Sequence, residues 1–225
     1  MSNQVLLIRA SDYKGVGTTL AGRDDAPLTI TGRTHVHVLS ASLSGVKLTL
    51  VGHGPTSRAR VTAQIIAYVH ELKPQLMADL DDVDYGAWRG RALAELEQDP
   101  QWQRWRADPD NTRCPGGETM KEAGARVLAW LNGLPSHHDG VSVLVTHGNV
   151  IRATLAAVLG CTFASVMRLD IAPHSITQLR RKDDRWQVGG VNMRTGHGLA
   201  APTHWGSWPA NRDAIGEHWA PGSET

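Results

Sequence analysis

The sequence is short of most features that assign a chain quickly, and each shortage excludes something. Its two cysteines, Cys114 and Cys161, are too few for a disulfide framework, so two free thiols in a reducing cytoplasm are expected. Net charge is only +1 with the histidines neutral, which removes any global electrostatic reason to expect nucleic acid or an acidic membrane as partner. No apolar run is long enough to span a bilayer, and the N-terminus lacks the basic-then-apolar build of a signal peptide. There is no internal repeat. Gly15 and Gly17 are not a dinucleotide fingerprint, because no helix or βαβ unit follows at the required distance. His35 and His37 lie two apart on a predicted helix and so point to different sides, which argues against a chelating pair. No metal and no other cofactor is expected. What remains is a chain of 225 residues, 41% hydrophobic and 20% charged, enough to bury one α/β core.

The most informative stretch is Val141 to Ile151. Val143, Leu144 and Val145 form a short continuous apolar run, as a central parallel strand covered on both faces requires. It stops at Thr146, His147 and Gly148, where a helix begins. Two other runs end in the same manner, Val5 to Ile8 before Arg9 and Leu48 to Val51 before His53, Gly54 and Pro55, with Arg58 in the helix that follows. Ligands in open α/β sheets sit beyond the carboxyl ends of the strands, next to helix amides that favour anions. Arg9, His53, Arg58 and His147 are therefore expected at one sheet edge.

The rest of the chain alternates strand and helix. A Gly-rich loop spans Asp12 to Asp25, a helix opens near Thr31 and closes near Gly45, and another runs from Pro55 to Leu72, with Pro55 suited to its first turn. Asp79 to Arg91 reads as an irregular acidic crossing and Ala92 to Arg106 as one or two short helices, where Trp102 and Trp105 at helical spacing suggest core packing. Cys114 to Gly117 is a turn, and Glu118 stands at the start of a helix lined by Ala123, Val127 and Leu131. After the central strand and the helix from Val150 to Leu159 come two antiparallel strands, Ser175 to Leu179 and Arg185 to Val191, around an Asp183 and Asp184 turn. His137 and His138 fall in a loop at the opposite sheet edge. The pattern predicts one domain over 1–194 and an extended Trp-, Gly- and Pro-rich arm over 195–225, docked through Trp205, Trp208 and Trp219.

The order of these motifs resembles the histidine phosphatase superfamily, the phosphoglycerate mutase-like fold. The matching pieces are Leu6 to Arg9, then Gly22, Arg23, Asp25, Pro27, Leu28, Thr29 and Gly32. Arg58 to Arg60 with Thr62 and Ala63 follow, and after them Asp84 to Gly86 with Trp88 and Gly90. Gly116 to Glu118 and Thr146 to Gly148 complete the series. The resemblance implies a three-layer α/β sandwich with a mostly parallel central sheet, helices on both faces and antiparallel C-terminal strands. It also implies a division of labour. Arg9 and Arg58 hold phosphoryl oxygens with His147 as second histidine, and Asp82 protonates the leaving oxygen.

One departure limits the transfer of function. The family's nucleophilic histidine falls on Ala10, the glycine after it on Ser11, and the asparagine that completes the phosphate pocket on Val16. Alanine has no atom that can attack phosphorus. His53 is then either a loop histidine or a substitute for the missing one, and Ser11 joins Arg9, Arg58 and His147 among the anion-binding candidates. Three readings stay open. The first is a divergent enzyme using His147, Asp82 and His53 on a small phosphorylated or carboxylated metabolite. The second is an inactive binding protein for a phosphorylated metabolite. The third is an ordinary phosphatase or mutase carrying a His-to-Ala substitution. In each the partner is a small anionic metabolite, a cytoplasmic location is expected, and a homodimer is compatible. Arg104, Arg106 and Arg113 make the middle segment basic, which hints at a second anionic group on the ligand.

Overall fold

A computed structural model describes residues 4–135, 140–182 and 184–194. The arm expected over 195–225, the His137 and His138 loop and Asp183 of the last turn lie outside the described residues.

Six strands form one sheet in the order β3-β2-β4-β1-β5-β6. They are β1 (Gln4–Arg9), β2 (Leu48–His53), β3 (Gln75–Leu76), β4 (Val141–Thr146), β5 (Ile176–Lys182) and β6 (Arg185–Met193). The first four pair in parallel, while β5 and β6 run antiparallel and extend the sheet beyond β1. The seven helices of the described residues are α1 (Ile30–Ser42), α2 (Ser57–Val69), α3 (Leu93–Leu96), α4 (Pro100–Ala107), α5 (Met120–Asn132), α6 (Gly148–Leu159) and α7 (Phe163–Val166). None is long and apolar enough to cross a membrane.

Pleat alternation sorts the strand residues onto two cores. Leu6, Ile8, Val143 and Val145 pack with Val36, Leu39, Ala63 and Ile66 of α1 and α2, whereas Val5, Leu7 and Leu144 pack with Val127, Leu131, Ile151 and Leu155 of α5 and α6. Helices therefore cover both faces, giving the three layers expected. Every residue of β4 is buried, in keeping with a central strand. Each fully buried aliphatic side chain of this kind contributes roughly 1.5–3 kcal/mol relative to exposure.

Helix starts are set by hydroxyl caps. Thr29 accepts from the Gly32 amide, Thr56 from the Ala59 amide, and Thr119 forms a capping box with Glu122. Two boundaries are corrected by these caps. Pro55 is not in a first turn, because Thr56 caps α2 and the helix opens at Ser57, and Glu118 lies ahead of the Thr119 cap instead of within α5. Cys114 is buried and Cys161 exposed, both unpaired, and burial pushes the Cys114 thiol up to about 12, so it is inert.

The register brings strand ends together. Arg9 pairs with Thr146 and His53 with Val145, so β1, β2 and β4 stop at one edge. Over that edge passes the irregular crossing, built from two 3-10 turns, Ala78–Leu80 and Gly86–Trp88. It is no solvated acidic face. Arg23 pairs with Asp81, Asp84 and Glu118, while Arg126 donates to the carbonyls of Asp79, Asp81 and Asp82 and pairs with Glu118. At its far end Gly86 has φ +52°, and a Cβ there would stand 1.9 Å from the Pro115 carbonyl oxygen. This is where the Cys114–Gly117 turn braces the crossing. Gly86→Ala combines a left-handed backbone with a backbone clash and should cost at least roughly 1–3 kcal/mol. A urea titration checks it, and an unchanged midpoint would show that the two segments can separate freely.

Candidate active site

Arg58 lies in the first turn of α2 and is 1% exposed. All its guanidinium nitrogens are engaged. Nε donates to His147 Nδ1 at 3.3 Å, Nη1 to the Asp24 carbonyl at 2.6 Å, and Nη2 to the Gly22 carbonyl and to Asp82 Oδ2 at 2.9 Å. Tyr13 lies under the guanidinium, its ring centroid 4.8 Å from the central carbon. His147 is the residue before α6 and is also buried. Its Nδ1 accepts from Arg58, so Nε2 carries the proton and faces Thr56 Oγ1 at 3.3 Å. Burial and then the Arg58 charge hold this imidazole well below its ordinary pKa, and it is neutral. Asp82 Oδ2 stands 3.5 Å from His147 Nδ1. Burial raises the Asp82 carboxyl and Arg58 pulls it back, so the net direction is upward.

Beside this network opens a cavity of about 350 Å³, lined by Arg9, Tyr13, Asp82, Asn149 and Arg152 on its polar side and by Leu93, Trp102, Trp105 and Met167 among its apolar residues. Arg9 closes β1 and donates to the Ile171 carbonyl. It lies across Gly148, where a Cβ would meet the guanidinium at 3.3–3.5 Å, so the glycine lets the arginine cross the start of α6. The walls come from the Gly-rich loop, through Gly17, Thr19 and Leu20, and from the α3 to α4 segment. A larger cavity of about 610 Å³ between α4, α5, α6 and α7 is lined by alanines together with Asp108, Asp110, Asn111 and Lys121 and lies away from these groups.

The structure thus brings together Arg9, Arg58, His147 and Asp82. It does not bring His53 or Ser11. His53 Nδ1 donates to the Gly54 carbonyl at 2.8 Å, and the ring does not line the cavity. Ser11 is 1% exposed; its amide donates to Thr62 Oγ1 and its hydroxyl meets His174 Nδ1 at 3.4 Å, away from the cavity wall. Of the basic segment only Arg106 reaches the lining, paired with Glu97, whereas Arg113 is spent on Glu122. Sequence reasoning missed Arg152 and Asn149. They stand three apart on α6 just past His147, and Arg152 donates to Asn149 Oδ1 at 2.9 Å while Asn149 donates to the Tyr85 hydroxyl at 2.6 Å. Their spacing on the helix that opens at the site was the available signal.

Residues 5–194 match the model of the histidine phosphatase superfamily (branch 1). A probable phosphoglycerate mutase GpmB of Proteus mirabilis is 29% identical over 199 residues, which are 85% of this chain and 91% of that protein. A mycobacterial glucosyl-3-phosphoglycerate phosphatase superposes with a TM-score of 0.74 at 25% identity, covering 85% of this chain and 99% of that one. A His-to-Ala mutant of the phosphoserine phosphatase from Entamoeba histolytica, in complex with phosphoserine, shares the fold with a TM-score of 0.73 at 20% identity, over 84% of this chain and 96% of that one.

The depressed His147 pKa has a signed consequence. Below about pH 6.5 the unfolded chain takes up a proton that the buried ring refuses, so this residue makes stability fall as pH falls. Asp82, with a raised value, acts in the opposite sense above its unfolded pKa near 3.8. Comparison with His147→Asn isolates the histidine. Between pH 7.5 and 5 the wild type should lose more thermal stability than the variant, and parallel curves would mean that His147 is protonated in the folded protein.

Proposed function

Because the chain belongs to the histidine phosphatase superfamily, we propose that it acts on a small phosphorylated metabolite held in the Arg9 cavity, with Asp82 as proton donor and no phosphohistidine at residue 10. Asp82 carries this reading. It lines the cavity, its carboxyl is raised by burial, and it sits between Arg58 and His147. Arg9 and Arg152 supply positive charge to the same space, one to orient the phosphoryl group and the other for a second anionic group such as a carboxylate. The names of the relatives are consistent with such substrates.

The step balances without a covalent enzyme intermediate. Water adds to phosphorus, the ester P–O bond breaks, and Asp82 gives its proton to the departing oxygen. The proton lost by the attacking water restores the acid. Arg9 offsets charge on the non-bridging oxygens, and the apolar indole wall limits competing solvent. Water replaces a positioned nucleophile at a cost in orientation, so turnover is slow.

A second reading is binding without turnover. It is favoured by Arg58, whose donors are already taken by Gly22, Asp24, Asp82 and His147.

p-Nitrophenyl phosphate turnover and phosphate calorimetry separate the readings. The wild type should hydrolyse slowly, Asp82→Asn should lose on the order of 10²-fold or more in kcat, and Arg9→Ala should weaken phosphate binding by roughly 1.5–3 kcal/mol. Ala10→His alone should not give brisk hydrolysis, because Ser11 and Val16 remain. Brisk hydrolysis through a trapped phosphohistidine would mean that only the nucleophile is missing from an ordinary phosphatase. Binding without turnover in wild type would select the second reading.

A further inference from the structure

Three residues outside the cavity converge from separate parts of the chain. Asp12 follows β1, His35 lies in α1, and His174 precedes β5. Asp12 Oδ2 stands 3.3 Å from His35 Nδ1 and 3.8 Å from His174 Nδ1, and the two imidazole centroids are 4.6 Å apart. One ligating atom from each residue falls within 4.8 Å of the others. We propose that Asp12, His35 and His174 form a zinc-type divalent metal site, a role separate from the phosphoryl chemistry of the cavity.

The spacing fits the ion. Around a tetrahedral zinc with bonds of about 2.0–2.1 Å, neighbouring ligand atoms are about 3.4 Å apart, and Asp12 Oδ2 already stands 3.3 Å and 3.8 Å from the two imidazole nitrogens, with all three ligating atoms within 4.8 Å of one another. The donor set selects the metal class. Two imidazoles disfavour magnesium and calcium, which take oxygen ligands, and suit zinc, cobalt or nickel. Both rings sit against each other in the free protein, so the two imidazoles are already gathered beside Asp12. His35 and Asp12 are partly exposed and leave an approach from solvent.

The backbone holds His174 in an unusual conformation. Its φ is +52°, uncommon for a side chain with a Cβ, while its amide donates to the Arg9 carbonyl at 3.0 Å. That pairing fixes the imidazole over the end of β1, facing Asp12. Two groups complete the surroundings. Ser11 Oγ, 3.4 Å from His174 Nδ1, borders the remaining side of the site, where a water or this hydroxyl would be the fourth ligand. Arg194 Nη2 lies 3.4 Å from His174 Nε2. Ligation through Nδ1 places the ring proton on Nε2, so Arg194 must move off the ring as the metal enters.

The sequence pattern hid this site. His35 and His37 are indeed not a chelating pair, but the partners of His35 are 23 residues before it and 139 after it, a meeting that only the fold produces.

Metal-stripped full-length protein titrated with cobalt(II) and zinc(II) tests the proposal. One equivalent of cobalt per chain should give the intense visible absorption of a low-coordinate site, displaced by zinc, and zinc should raise Tm in the absence of any substrate. His35→Gln and His174→Asn should each weaken binding at least tenfold, whereas His37→Gln should leave it unchanged. His35 is partly exposed, so His35→Gln keeps the test informative even where His174→Asn perturbs folding. A variant with His197, His204 and His218 all changed to Gln should bind as the wild type does. No saturable cobalt site, unchanged affinity in His35→Gln, or loss of binding only in the His197, His204 and His218 variant would overturn the assignment.

Discussion

The buried Arg58–Asp82 pair is the constraint on which the site depends. Taking a guanidinium and a carboxylate out of water is expensive, and the expense is offset only when geometry is good and the remaining donors are used. Here they are. Two loop carbonyls, Gly22 and Asp24, and the His147 ring accept what Asp82 does not. The pair therefore ties four separate segments together: the Gly-rich loop, the first turn of α2, the acidic crossing and the junction of β4 with α6. Removing one partner would leave the other charged and buried, which typically costs roughly 3–5 kcal/mol.

Asp82 is held from behind as well. Arg23 and Arg126 share Glu118 and grip the carbonyls and carboxylates of residues 79–84, so the backbone that presents Asp82 to the cavity is set by charge rather than by regular secondary structure. The same arrangement accounts for the electrostatics. A carboxyl raised by burial and an imidazole lowered by burial stand 3.5 Å apart. In the proposed function the proton donor is therefore Asp82, beside a neutral histidine.

The architecture was legible in the sequence because a central strand has to be apolar on both faces. Leu6 to Ile8 and Val143 to Val145 say so directly, and the rule that ligands lie beyond strand ends placed Arg9, Arg58 and His147 correctly at one edge. Asp82 was found only through its place in the motif order, since an acidic run alone gives no sign of Arg23 and Arg126 folded around it. His53 shows the limit of the strand-end argument. Its position was right and its ring is engaged elsewhere, by the Gly54 carbonyl one residue away. Arg152 and the Asp12, His35 and His174 cluster depend on helix direction and on contacts across more than a hundred residues, which no local spacing encodes.

The cavity's cations define what a ligand must offer. Arg9 and Arg152 both line it, whereas Arg58 is spent inside the protein. In the proposed function an oxyanion therefore lies against Arg9, with the Asp82 carboxyl beside it, and not against Arg58. A crystal structure of the protein soaked in vanadate measures this directly. The expected result is vanadate within hydrogen-bonding distance of the Arg9 guanidinium and the Asp82 carboxyl, with the Arg58–Asp82 pair intact. Vanadate bound by a released Arg58 and His147, or bound outside the Arg9 cavity, would contradict it.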